Sequence, residues 1–205
     1  MPCFPRRREA SATSCLPERA MTERPRPPLP EVWLRGPLPD VEPVLQPAAH
    51  ALLQAGEDIA EAVSDLTVEQ LWVRPGGAAS AGFHLRHIAG SIDRLLAYVR
   101  GEQLGASQRK ALAVEREPGD PPAEVTELVR QATSAIASAL VLIRETTLKT
   151  AAEPRSVGRA QLPSTVGGLL FHIAEHTQRH TGQLITTAKI VRGLGLPGAE
   201  RASGT

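Results

Sequence analysis

The chain contains almost no cysteine. Of its 205 residues two are cysteines, Cys3 and Cys15, and both lie among the prolines and arginines near the amino terminus. A disulfide framework is therefore excluded for the rest of the chain, and no protein thiolate there can act as a nucleophile or metal ligand. This cysteine usage is typical of a reducing compartment, and we predict a cytoplasmic location.

Long apolar runs are also absent. No stretch approaches the roughly eighteen apolar residues of a membrane-spanning helix, and no run of about seven precedes Met21, so neither a membrane span nor a signal peptide is expected. An excess of one charge is missing as well, because 23 basic residues face 22 acidic ones. Without a basic surplus there is no general electrostatic reason to bind nucleic acid or an anionic membrane, and we expect neither as a partner.

Composition divides the chain into three parts. Residues 1–37 combine proline, arginine and small polar residues with little to bury, which predicts a disordered leader, and Met21 is an alternative start. Residues 38–195 carry the apolar periodicity of a folded domain, and residues 196–205 predict a flexible tail. With 41% hydrophobic residues in the chain, the middle part is long enough to bury one core.

Four amphipathic helices account for most of this domain. Their predicted limits are Asp40 as a cap to about Leu66 with a bend at Pro47, Ser80 as a cap to Arg100, Asp120 and Pro121 to about Thr147, and Ser164 as a cap to near Gly193. A short helix is indicated around residues 107–115, and no stretch shows the alternation of a strand. The pattern predicts an all-α, four-helix bundle with at least one long connection.

The stretch "FHIAEHTQRHTGQL", residues 171–184, places three histidines at steps of four. Residues four apart on a helix differ by about 40°, so such side chains are neighbours. His176 and His180 fall in the middle of the apolar face, and His172 falls at its rim. Two inward imidazoles are costly unless their nitrogens find partners, and a divalent metal satisfies both at once. The alternative is that each imidazole hydrogen-bonds to a neighbouring helix and braces the bundle.

A third ligand has to come from another helix. The second helix offers His84 and His87, of which His84 lies closer to the centre of the apolar face. Periodicity therefore favours His84, although spacing alone does not settle the choice. His50 falls on the polar face of the first helix and is expected to be a solvated surface residue.

Two stretches together, "GFHLRHIAGSIDRLL" and "LLFHIAEHTQRHTGQL", resemble the DinB-like superfamily of metal-binding four-helix bundles. That superfamily includes YfiT-type proteins and thiol-dependent S-transferases, and the resemblance covers about residues 40–195. It implies one divalent metal held by His87, His176 and His180, which gives His87 precedence over His84.

The motif continues past the last of these histidines. The resemblance places Gly182 and Gln183 in the pattern HxxxHxGQ, and we expect Gln183 to support the site or to hydrogen-bond between helices. Related sequences commonly carry arginine directly after the last histidine, whereas this chain has Thr181. This difference leaves the ligands intact but puts in doubt any part that arginine plays in substrate binding.

Three neutral imidazoles leave a divalent ion at least one open position, which is the pattern of catalytic sites. Imidazole suits zinc, nickel, iron and copper, and we expect zinc or nickel. The resemblance favours a transferase that uses a low-molecular-weight thiol, with a metal-dependent hydrolase or a non-catalytic structural bundle as alternatives. A DNA-binding role finds no basic face in the balanced charge.

A small-molecule substrate is the expected partner. Phe83, Tyr98 and Phe171 are candidates for the walls of its pocket, although each fits an ordinary core or rim position. The resemblance also implies a homodimer.

Overall fold

The structure, a computed structural model, describes residues 29–195. Its long helices are α1 (Gln46–Ala62), α3 (Ala81–Val99), α5 (Val125–Glu145) and α7 (Val166–Gly193). Shorter elements lie between them: α2 (Val68–Trp72), α4 (Ala106–Ala113), α6 (Leu148–Ala151), β1 (Pro154–Val157) and β2 (Leu162–Thr165), with 3-10 turns at Val32–Leu34, Pro43–Leu45 and Pro75–Gly77. The predicted all-α four-helix bundle is confirmed.

The four long helices pack in a ring. Helix α3 lies between α5 and α7, and α1 packs against α7 and α5 on the opposite side. Each helix contributes aliphatic side chains to one shared core, among them the fully buried Leu52, Ile88, Ile143 and Ile173. Burying a side chain of this size stabilises the fold by about 1.5–3 kcal/mol, so the helices that carry the histidines are firmly held against each other.

The predicted helix starts are partly correct. Ser80 caps α3 as expected, since its hydroxyl accepts the Phe83 N–H at 3.1 Å. Ser164 as the cap of α7 is wrong by one residue, because Thr165 accepts the Gly168 N–H at 3.0 Å. The cap at Asp40 is also wrong, because Asp40 adopts a left-handed φ of 58° and α1 begins six residues later.

Proline accounts for two further differences. Pro47 lies in the first turn of α1, where the fixed φ of proline suits the helix. The bend predicted at Pro47 is therefore not needed. The predicted opening of α5 at Asp120 and Pro121 is wrong, because these residues form a turn with a cis peptide bond and Glu124 is the cap. Pro121 is followed directly by another proline, and the residue before a proline is disfavoured in the helical region.

The two-stranded hairpin contradicts the expectation that the chain holds no strand. β1 and β2 pair antiparallel, with Pro154 opposite Thr165 and Val157 opposite Leu162. Each strand has four residues, which are exposed or half-buried, so neither carries the apolar alternation that reveals a strand in sequence. The predicted short helix, by contrast, is present as α4.

Parts of the predicted leader and all of the predicted tail lie outside the described residues. Within residues 29–37, Val32 is buried against α1 and its N–H donates to Gln54 Oε1 at 2.9 Å. Arg35 forms two hydrogen bonds with Glu57 on α1, at 2.6 and 2.8 Å. Residues 32–35 thus contact α1, within the range expected to be a leader. None of the helices in residues 29–195 is long and apolar enough to cross a membrane.

Candidate metal centre

Helices α3 and α7 bring three of the six histidines together. One ring nitrogen each of His87, His176 and His180 lies within 4.8 Å of the others. Nε2 of His87 lies 3.0 Å from Nε2 of His176. The ring centroids of His87 and His180 are 4.4 Å apart, and those of His176 and His180 are 4.6 Å apart. His176 and His180 of α7 thus lie next to His87 of α3, the partner that the resemblance implied.

His84 does not join this cluster but supports it. Its ring is buried, and its Nδ1 lies 3.2 Å from Nδ1 of His180. A metal on Nε2 of His180 requires the proton to sit on Nδ1, where the lone pair of His84 can accept it. The competitor for the ligand position therefore lies behind the cluster, where it can orient a ligand.

A buried carboxylate orients His87 in the same way. Glu115, in the loop after α4, is 5% exposed and accepts a hydrogen bond from His87 Nδ1 at 2.8 Å. Its other oxygen accepts from Nη1 of Arg94, also buried, at 2.6 Å. With its Nδ1 proton donated to Glu115, His87 presents the lone pair of Nε2 towards His176.

The protonation states suit ligation. Burial lowers the pKa of His176, and the electrostatic effect of the nearby His87 ring adds to this. Burial and the neighbouring histidines lower the pKa of His180 to about 4. Burial raises the pKa of Glu115, but hydrogen bonds from His87 and Arg94 outweigh it and hold that pKa below its ordinary value. At neutral pH His176 and His180 are therefore neutral, and Glu115, the carboxylate that supports His87, is charged.

The donor set fits a divalent ion of the zinc type. Nitrogen ligands about 2.0–2.1 Å from one ion lie roughly 3 to 3.4 Å apart, which agrees with the 3.0 Å between the Nε2 atoms of His87 and His176. Without an ion, these two nitrogens have to share a single proton. His87 and His180 each have a hydrogen-bond partner behind the ligand nitrogen, whereas His176 does not. Its Nδ1 is buried and has no hydrogen-bond partner among residues 29–195.

Aromatic and cationic side chains cover one side of the cluster. The Phe83 ring stacks on the His87 ring, with centroids 5.2 Å apart and an interplanar angle of 18°. The guanidinium of Arg116 lies 4.9 Å from the centre of the Phe83 ring. Of the three predicted wall residues, Phe83 is thus at the site. Tyr98 is buried near the end of α3, and Phe171 is exposed beside α6.

The remaining histidines lie outside the cluster. His172 is exposed and bonds Glu175 at 2.6 Å, in agreement with its rim position. His50 lies half-buried on α1, and its Nε2 is 3.1 Å from the Gly36 carbonyl oxygen, in an exposed contact that agrees with a surface position.

Gln183 departs from its expected role, whereas no position was predicted for Thr181. Gln183 is exposed, and its side chain has no partner within the described part of the chain, so it does not support the site there. Thr181 is buried and donates to the Thr177 carbonyl at 2.9 Å, which places this position inside the bundle. The hydrogen bond between helices comes instead from Gln178, which donates to the Ala51 carbonyl on α1 at 2.6 Å.

A cleft of about 770 Å³ lies behind the cluster. Residues of α3, of α5 and of the loop after α4 line it, including Gly90, Ala135 and Glu115. None of the three clustered histidines lines it, whereas Glu115, which accepts a hydrogen bond from His87, does.

Comparison with known proteins supports one family. The sequence model of the DinB superfamily matches residues 51–184, about two thirds of the chain, and this match includes all three clustered histidines. No curated protein matches the chain.

Proposed function

Because the chain belongs to the DinB superfamily and three of its imidazoles converge, we propose that it binds one divalent metal through His87, His176 and His180 and acts as a metal-dependent transferase using a small-molecule thiol. Zinc and nickel are the metals that we propose, since both accept imidazole ligands.

The observation that carries the catalytic part of this proposal is the number of ligands. Among residues 29–195, the group of His, Cys, Asp or Glu side chains close enough to share an ion has three members, and all three are half-buried. Structural zinc sites have four protein ligands, whereas catalytic ones have three and an open position. When bound, an ion of this kind acts as a Lewis acid that lowers the pKa of a thiol or a water molecule.

The residues around the ligands have separate tasks in this proposal. Glu115 keeps a proton on Nδ1 of His87, so that Nε2 stays free. His84 accepts the corresponding proton of His180. Phe83 covers one face of His87 and excludes water from it. Residues 29–195 contain no cysteine, so within them no thiol competes with one supplied by a separate small molecule.

Metal content tests the ligand set. Elemental mass spectrometry of protein purified without a histidine tag should find about one divalent ion per chain in the wild type. His87→Ala and His176→Ala should lose the ion. His84→Ala should keep it, because His84 lies behind His180, and His50→Ala is the matched control on α1. Absence of metal from the wild type after supply of zinc or nickel would leave the histidines as helix braces.

The transferase step needs its own assay. Metal-loaded protein is offered a panel of low-molecular-weight thiols with a chromogenic aryl halide, and separately a nitrophenyl ester without thiol. Consumption of the halide that needs both metal and thiol is the expected result. Turnover of the ester alone would favour the hydrolase, and metal binding without either reaction would favour a non-catalytic bundle.

We also propose that the protein forms a homodimer. The support is the family resemblance together with large exposed apolar side chains such as Leu148 and Phe171, which lie around one groove. Light scattering coupled to gel filtration distinguishes a dimer from a monomer.

A further inference from the structure

Gly90 occupies an unusual place in α3. It lies in the interior of the helix with a helical backbone, so no left-handed conformation requires a glycine there. Glycine in a helix interior is less favourable than alanine, because it loses more backbone freedom on folding. The reason for glycine at this position has to be the space that its side chain leaves free.

That space is filled by the ion pair that supports His87. A methyl group on the Cα of Gly90 would lie 2.5 Å from Oε1 of Glu115 and 2.7 Å from Nη1 of Arg94. These are the same two atoms that hydrogen-bond to each other at 2.6 Å. Both approaches are far inside van der Waals contact, so the two buried side chains would have to shift out of the ion pair that they form.

The three residues share one face of α3. Gly90 follows His87 by three positions and precedes Arg94 by four, so the three lie in a stripe along the helix. Glu115 lies across this stripe, with one oxygen on His87 and the other on Arg94. Its carboxylate can span the two because the position between them has no side chain.

We propose that Gly90 is a positioning residue for the metal centre: it provides the room through which Glu115 reaches and orients His87. This inference rests on the proposed metal site. A role of Gly90 in helix packing is a poorer account, since the nearest atoms to its missing side chain belong to Glu115 and Arg94 and none to α5. Gly82 shows the contrasting case, because a methyl there would meet the Trp72 ring at 2.9 Å.

The test compares two glycine-to-alanine changes in long helices. Gly90→Ala should weaken zinc binding by about 10- to 100-fold, the usual effect of losing the group that orients a ligand histidine. Gly56→Ala in α1 is the matched control, because a methyl there meets Ile136 at an ordinary 3.9 Å. Zinc affinity is measured by competition with a chelator, and the visible spectrum of the cobalt-loaded protein reports the ligand geometry.

A double variant identifies the route of the effect. Glu115→Ala alone should weaken zinc binding to a similar degree. Adding Gly90→Ala to it should cost no further affinity, because the carboxylate that was crowded is gone. A further loss in the double variant would show that Gly90 acts elsewhere, and wild-type affinity in Gly90→Ala would overturn the inference directly.

Two outcomes separate the inference from other failures. If Gly90→Ala does not fold, the double variant is compared with Glu115→Ala alone, and a double variant less stable than Glu115→Ala would refute crowding against Glu115. If the wild type binds no metal, the proposed function fails. The ¹⁵N shifts of the His87 ring in metal-free protein then decide: they should change in Gly90→Ala and stay unchanged in Gly56→Ala.

Discussion

Replacing Glu115 with glutamine should invert the tautomer of His87. The carboxylate accepts from His87 Nδ1 at 2.8 Å and from Arg94 Nη1 at 2.6 Å, whereas an amide has one oxygen to offer. Arginine only donates, so the amide oxygen should face Arg94 and the amide NH₂ should face His87. His87 then accepts on Nδ1 and carries its proton on Nε2, the nitrogen that faces His176. This tautomer has no lone pair for an ion.

The size of the effect follows from the two bonds. Loss of the group that orients a ligand histidine lowers metal affinity by about 10- to 100-fold, or roughly 1.4–2.7 kcal/mol. Removing one partner of a buried ion pair costs about 3–5 kcal/mol of stability. Glu115→Gln neutralises the carboxylate but leaves Arg94 an acceptor, so its cost should fall at the low end of this range. Chelator competition measures the first quantity, and urea unfolding of metal-free protein measures the second.

The control is Glu57→Gln, which neutralises a carboxylate in an exposed pair with Arg35 and should leave zinc affinity unchanged. ¹⁵N spectroscopy of the imidazoles reports the tautomer of His87 directly. If Glu115→Gln binds zinc as tightly as the wild type while it loses stability, then Glu115 serves the fold alone and the reasoning is refuted.

Three further predictions concern stability. Burial lowers the pKa of His84 and His180 to about 4, below the roughly 6.5 of an unfolded chain, so the unfolded state binds more protons between these values. Metal-free protein should therefore keep this stability above about pH 6.5 and lose it as the pH falls towards 4; equal urea midpoints at about pH 7.5 and 5 would contradict this. Saturating zinc at about 100 times its Kd should stabilise the wild type by about 2.7 kcal/mol and His176→Ala by none, as thermal melts would show. Ile92→Ala, at a fully buried position, should cost about 2–5 kcal/mol in urea unfolding, and a loss below 1 kcal/mol would mean that the core there can collapse.

Periodicity located the four long helices and the histidine pair of α7, because both are properties of a single helix face. Periodicity was less informative about the loops and about where each helix begins. The starts of α1 and α5 lie five to six residues away from the expected caps, since proline-rich turns at 40–47 and 118–124 carry polar residues that also fit a cap. The hairpin was missed because its strands bury too little to show a pattern.

The choice between His84 and His87 shows a limit of the helical wheel. The wheel favoured His84 because it lies closer to the centre of the apolar face, and His84 is indeed the more buried of the two. The cluster, however, forms at the edge of the core, where the ligand candidates remain half-buried. The wheel therefore identified the buried residue behind the cluster rather than its half-buried member.

Glu115 was out of reach of any spacing argument. It lies in a loop 28 residues after His87, and nothing in the sequence indicates which of the 22 acidic residues returns to α3. A weaker signal did exist on α3 itself. His87, Gly90 and Arg94 fall on one helix face, and an inward arginine beside a small residue indicates a buried anion from elsewhere in the chain.

The long connection between α3 and α5 is therefore part of the site. Arg86 donates to the Pro118 carbonyl at 2.9 Å and also to the Glu117 carbonyl, which fixes the loop on α3 next to Glu115. The same loop supplies Arg116 over Phe83. Glu115 thus joins this loop to the ligand candidate His87 through one carboxylate oxygen and to Arg94 through the other.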